Sequence, residues 1–190
     1  MKFITQACKI TLIVLFMLWP VTAVAEEVNK ISYSDTAWVL VSSALVMLML
    51  PGLALFYGGM VRRKNVLSTL MHSFVPLGVI TIQWVLFGYS LAFGNDIGHF
   101  VGDLSKVLYM GIDYKTLSGT IPEYLFSMFQ LMFAIIAVAL ISGGMAERVK
   151  FKSYIVFIFL WSTVVYDPLC HWVWGGGWLG DMGDLDFAGG

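Results

Sequence analysis

An all-α protein that crosses a membrane several times is what this sequence predicts, and three observations carry that reading. Apolar residues make up 59% of the 190 residues and charged ones only 12%, against roughly 45–50% and 25% in soluble domains. Mean hydropathy is +0.83, and the apolar residues gather into runs of about 20, the length a helix needs to cross a bilayer. Basic residues cluster between alternate runs rather than along them. The formal net charge of −1 leaves no basic stripe, so nucleic acid is not an expected partner.

The N-terminus reads as a segment apart. Lys2 and Lys9 lead into a short apolar stretch at 10–18, and Ala23-Val24-Ala25 supplies small residues before Glu26 and Glu27. That pattern predicts a secretory signal peptide over 1–25, followed by the membrane domain from 26 onward. An uncleaved anchor helix is the competing reading. Cys8 falls inside this segment, which leaves Cys170 alone, too few for an intrachain disulfide or a metal site.

The first span is expected at 37–57, ending in Gly58-Gly59-Met60-Val61-Arg62-Arg63-Lys64. The second is expected at 66–94. Residues 95–122 carry spaced polar residues and glycines and read as a loop with a short amphipathic piece. A third span covers 123–142 and closes on Gly143-Gly144-Met145-Ala146-Glu147-Arg148. The fourth lies at 154–173, and a fifth begins at Asp186, four residues before the last.

Charge sets the orientation. Arg62, Arg63 and Lys64 crowd the first connection, and Arg148, Lys150 and Lys152 the third. The second holds only Lys106 and Lys115 among Asp96, Asp103 and Asp113. Basic connections stay in the cytoplasm, so the mature N-terminus is expected outside. A cleaved secretory signal requires the same.

The stretch DPLCHWVWGGGW, from Asp167 to Trp178, then falls at the outer end of the fourth span. Its tryptophans suit an interfacial belt. Asp167 and His171 do not; one turn apart at that depth, such groups face a bundle interior or a wet cavity. His72 reads as an interfacial or packed histidine, and Gln83 as a bond to a neighbouring helix. Phe126, Phe129 and Phe133 share one face by their i, i+3, i+7 spacing, which suits packing as well as a pore lining. Asp186, at the start of a helix, suits an N-cap or an acid that polarises a site. No nucleotide loop, zinc-ligand set or hydrolase elbow appears, so neither a cofactor nor an enzymatic reaction is expected.

Taken together, PGLALFYGGMVRRKN, QWVLFGYSLAF, FQLMFA, GGMAERVKF, HWVWGGGWL and DFAGG resemble the ammonium transporter family (Amt/Mep/Rh), in its order and spacing from about Ser34 to Gly190. The resemblance implies a fold of eleven transmembrane helices in two inverted five-helix halves, with a pore in each protomer of a homotrimer. It implies recruitment of ammonium at an outer aromatic vestibule, two stacked gate phenylalanines, and a hydrophobic lumen with two histidines. Trp174 matches the vestibule tryptophan, Phe133 the outer gate, Gln130 a position near the vestibule wall, and Asp186 the aspartate that supports recruitment. None of His72, His99 and His171 matches a pore histidine, and the second gate phenylalanine, vestibule serine and both pore histidines would follow Gly190. The chain therefore reads as the first half of such a fold, about five helices, cut at the start of the fifth.

What the resemblance implies is transport of ammonium or ammonia, with methylammonium as an analogue and the lipid bilayer as surroundings. An ammonium sensor on the same fold is the alternative. Family members often bind a trimeric PII-type signalling protein on the cytoplasmic face, which adds a further expected partner.

Overall fold

The computed structural model describes residues 31–184 and Asp186. The expected signal peptide and the residues after Asp186 lie outside the described residues, as does any fifth helix. Among the described residues four helical segments are long and apolar enough to cross a membrane: Tyr33–Met60, Arg63–Phe93, Glu123–Met145 and Phe151–Asp181. Each coincides with a span expected from hydropathy; three cover it in full and run a few residues further, and the second starts earlier and ends at Phe93, one residue short.

The first span is one helix, α1 (Tyr33–Met60), started by Ser32, whose hydroxyl accepts the Asp35 N–H at 3.3 Å. That cap satisfies one of the free amides of a helix start, which is why the helix begins ahead of its apolar run. The second span opens with a 3₁₀ turn at Arg63–Asn65 and continues as α2 (Val66–Gln83). It passes through a turn of π-helix at Trp84–Gly88 and ends as α3 (Tyr89–Phe93).

The expected loop is ordered by two small antiparallel hairpins. β1 (Asp96–Ile97) pairs with β2 (Val101–Gly102), and β3 (Leu117–Ser118) with β4 (Ile121–Pro122). A 3₁₀ turn at Val107–Tyr109 stands where the short amphipathic piece was expected. Asp103 accepts bonds from Ser105 and Asn95, and these hold its carboxyl at about 2, well below the ordinary range.

The third span is α4 (Glu123–Met145). The fourth consists of α5 (Phe151–Trp161), a second π turn at Ser162–Tyr166, α6 (Asp167–Trp174) and, past a glycine turn, α7 (Trp178–Asp181). The third span is the centre of the assembly: 56% of its apolar window is buried, against 17% for the first. Ala134, Ile135, Val138 and Ala139 of α4 meet Ile80 and Trp84 of the second span and Tyr154 and Ile158 of the fourth in one core. The bare outer face of α1 is normal for a helix whose solvent is lipid.

Alternate connections gather at opposite ends, as helices crossing in turn require. At one end the Glu147 carboxylate accepts bonds from the Arg62 guanidinium at 3.1 Å and the Asn65 amide at 2.6 Å. At the other end the Ser32 N–H donates to Thr120 O at 2.9 Å, and the Thr120 hydroxyl to the Asp35 carboxylate at 2.6 Å. There too Glu123, buried at the start of α4, accepts bonds from Lys106 Nζ at 2.7 Å and the Tyr89 hydroxyl at 2.8 Å. No local spacing announces that three-way tie, because its members come from three separate elements.

Candidate functional site

The end of the fourth span that carries Trp174 is built on two polar ties to the second span. Asp167, His171 and Trp174 stand at i, i+4 and i+7 of α6, on one face of the helix. Asp167 is wholly buried. The Gln83 side-chain amide donates to its Oδ2 at 2.5 Å and lies 3.4 Å from the Thr163 hydroxyl, while the Ser162 hydroxyl donates to Gln83 Oε1 at 3.4 Å. Gln83 is the last residue before one π turn and Asp167 the first after the other. Such turns are rare and gather at functional sites.

One helical turn outward, His171 is also fully buried. Its Nδ1 lies 3.0 Å from the Ala92 carbonyl and its Nε2 3.0 Å from Asp96 Oδ1. The His171 contact, helped by the His99 N–H, holds the Asp96 carboxyl below its ordinary range against a smaller opposing effect of burial. Asp167 and His171 do face the bundle interior, one of the two settings their depth suggested. Asp167 bonds to Gln83 of the second span, and His171 to Ala92 near its end and Asp96 of β1; the two do not bond to each other.

The glycines make this approach feasible. A Cβ on Gly175 would lie 2.1 Å from the Ala92 carbonyl oxygen, closer than any side chain permits, and Gly176 turns the chain at a φ of +93°. Beyond them the Trp178 N–H donates to His99 O at 3.2 Å, and His99 Nδ1 lies 3.0 Å from Asp181 Oδ2.

The three tryptophans separate by role. Trp172 donates its indole N–H to Phe100 O at 2.7 Å and packs against Phe100 and Trp178. Trp178 shares that cluster. Trp174, by contrast, is 40% exposed, and among the described residues its ring has no aromatic contact or side-chain hydrogen bond. Trp178 is nearly as exposed, at 37%, but its ring is engaged by Trp172.

The third span carries the other expected positions. Phe129 and Phe133 pack edge to face with centroids 5.0 Å apart, whereas Phe126 turns to Phe93 at 5.0 Å. Phe133 and Gln130 are each half-buried on α4. Among the described residues no ring contact or side-chain hydrogen bond joins either to Trp174. Asp186 is exposed, and the residues it would cap lie outside the described residues. His72 is the packed histidine expected, buried against Phe151 and Tyr154 with ring centroids at 5.3 and 4.9 Å.

Four packed spans with one polar, aromatic end define a polytopic α-helical membrane protein. A family profile described as Ammonium Transporter Family matches residues 37–190, and the chain belongs to that family. It is 53% identical over 160 residues to an ammonium transporter of Bacillus subtilis, covering 82% of this chain and 39% of that protein. The crystal structure of Candida albicans Mep2 superposes with a TM-score of 0.77 at 37% identity, over 85% of this chain and 36% of that one. A structure titled Sensor Amt Protein superposes with a TM-score of 0.74 at 27% identity, over 82% and 39% of the two chains. The chain thus spans well under half the length of the relatives it matches.

Proposed function

We propose that the complete protein moves ammonium or ammonia across a bacterial inner membrane, recruiting the cation at an outer aromatic mouth. The observation that carries this reading is Trp174: in a chain of this family, it is the one indole of the cluster whose ring has, among the described residues, no aromatic contact or side-chain hydrogen bond. A tryptophan face attracts a small cation by about 0.5–2 kcal/mol, depending on desolvation. That offsets part of the several kcal/mol by which hydrocarbon disfavours a charge. Potassium feels the same attraction, so selectivity rests on what ammonium alone can do, which is donate N–H bonds and give up a proton.

In this reading Phe133 is the outer gate, with Gln130 near the vestibule wall and Asp186 as a charged support. The protein assembles as a homotrimer after loss of residues 1–25, has its mature N-terminus in the periplasm, and offers its cytoplasmic face to a PII-type signalling protein. Likeness to the structure titled Sensor Amt Protein favours one alternative, an ammonium sensor on the same fold.

Methylammonium uptake by cells that lack their own ammonium uptake systems tests the proposal. Trp174→Leu in the complete protein is expected to weaken uptake at low substrate with assembly intact. Asp186→Asn is expected to abolish most uptake, although asparagine caps a helix as well as aspartate does. Normal uptake by both variants would reduce Trp174 to a belt residue and Asp186 to a cap. Ammonium binding without uptake by the wild-type protein would favour the sensor.

A further inference from the structure

We propose that Gln83, Asp167 and His171 are positioning residues for cation recruitment: their ties to the second span set the rotation of α6 that presents Trp174. The proposal rests on the recruitment reading of Trp174. It goes beyond that reading by assigning a role to three buried groups that never meet the ion.

The geometry points this way for four reasons. Asp167, His171 and Trp174 lie on one helix face, so whatever fixes the azimuth of the first two fixes that of the third. The Trp174 ring makes no hydrogen bond of its own among the described residues, so its direction is inherited from the helix. Upstream of Asp167 the π turn at Ser162–Tyr166 holds one residue more than an α turn. Since each residue advances an α-helix by about 100°, that insertion reorients everything beyond it. The ties re-anchor the helix after that change of register. Finally, they act at two levels, Gln83 on Asp167 and the Ala92–Asp96 segment on His171. One tie would leave a pivot, whereas two fix rotation and tilt together.

The composition of the inner tie argues against simple packing. Among the described residues the Oδ1 atom of Asp167 has no hydrogen-bond partner, and leaving such an atom unsatisfied disfavours the fold. An apolar residue would pack here without that cost, so the carboxyl is explained by its directional bond through Oδ2. Gly88 belongs to the same arrangement, because a Cβ there would lie 2.7 Å from Gln83 Oε1. Sites held on rigid elements by locked neighbours keep their geometry better than sites on loops.

The test is the concentration dependence of methylammonium uptake by the complete protein, read as KM against maximal rate. Loss of a tryptophan–cation contact weakens recruitment by between about twofold and about thirtyfold. Gln83→Leu and Asp167→Leu are expected to raise KM within that range while the maximal rate per trimer in the membrane stays nearly constant. Asp167→Asn, which keeps the shape and an oxygen to accept the Gln83 N–H, is expected to restore KM. In a Trp174→Leu background, Asp167→Leu is expected to raise KM no further. If the leucine variants do not reach the membrane, Gly88→Ala displaces the amide without emptying the core and is expected to raise KM as well. KM unchanged in the Gln83, Asp167 and Gly88 variants, with Trp174→Leu raising it, would overturn the positioning role alone. KM unchanged in Trp174→Leu itself would instead remove the recruitment reading on which it rests.

Discussion

The Gln83–Asp167 tie and the Arg62–Glu147 tie each join two spans through a carboxylate, but in opposite surroundings. The first is sealed inside the helix packing, with Asp167 fully buried. The second lies at the basic end of the molecule, where the Arg62 side chain is 69% exposed and that of Glu147 24%. Water can replace every bond of the exposed tie, so its loss changes little. Nothing replaces the buried bond, so its loss leaves polar atoms stranded in an apolar interior. A carboxylate count would rank the two alike; their surroundings separate them.

The largest effect is expected where the buried side has no slack. Gly175→Ala would drive a methyl group into the Ala92 carbonyl and push α6 off the second span. It is expected to abolish uptake and to lower the melting temperature of the detergent-solubilised complete protein by many degrees. A protein that melts normally and transports would show that the two spans do not need this close approach.

Next come the two halves of the buried tie, which should not be equivalent. Gln83→Leu strands the Asp167 carboxyl and is expected to cost about 1–3 kcal/mol, the usual penalty for an unsatisfied buried polar group. Asp167→Leu leaves the Gln83 amide beside the Thr163 and Ser162 hydroxyls and is expected to cost less. Replacing both by leucine should recover part of the loss, because no polar atom is then stranded. Equal losses in both single variants would mean that volume, not hydrogen bonding, controls this site.

The exposed tie should respond most weakly, and mainly to acid. Bonds from Arg62, and then from Asn65, lower the Glu147 carboxyl from its ordinary 4.5 to about 2. A depressed acid stabilises the fold fully above its unfolded value and loses that contribution as pH falls through its folded value. Its contribution therefore fades between about pH 4.5 and about pH 2 and is constant at neutrality. Arg62→Ala is expected to leave uptake and melting near neutral pH almost unchanged, and Glu147→Gln to flatten the acid side of the melting profile. A large loss of stability at pH 7 in Arg62→Ala would erase the contrast between the two ties.

The basic end also predicts an orientation. A reporter fused after Lys64 is expected to read cytoplasmic, and one at Lys106 external. The reverse pattern would move Trp174 to the wrong side of the membrane.

Much of this architecture was legible in the residues themselves. Hydropathy located all four spans, because length and apolarity are properties of a single segment. Their ends ran longer where a cap such as Ser32 extended a helix past its apolar run. Gln83 could be read as a bond to another helix, since a lone amide at mid-span has few alternatives. Its partner could not, because Asp167 lies 84 positions away and only packing brings the two together. The π turns left no trace in the pattern, being register slips set by what each helix meets. Trp172 and Trp174 are chemically identical in the sequence; the carbonyl of Phe100 separates them, and a folded loop was needed to put it there.

Uptake into liposomes holding the complete, purified protein tests the central claim most directly. Methylammonium should enter saturably, and external ammonium should compete with it, whereas an equal concentration of potassium should not. Entry that never saturates, or that potassium blocks as well as ammonium does, would contradict an outer mouth that recruits ammonium for transport.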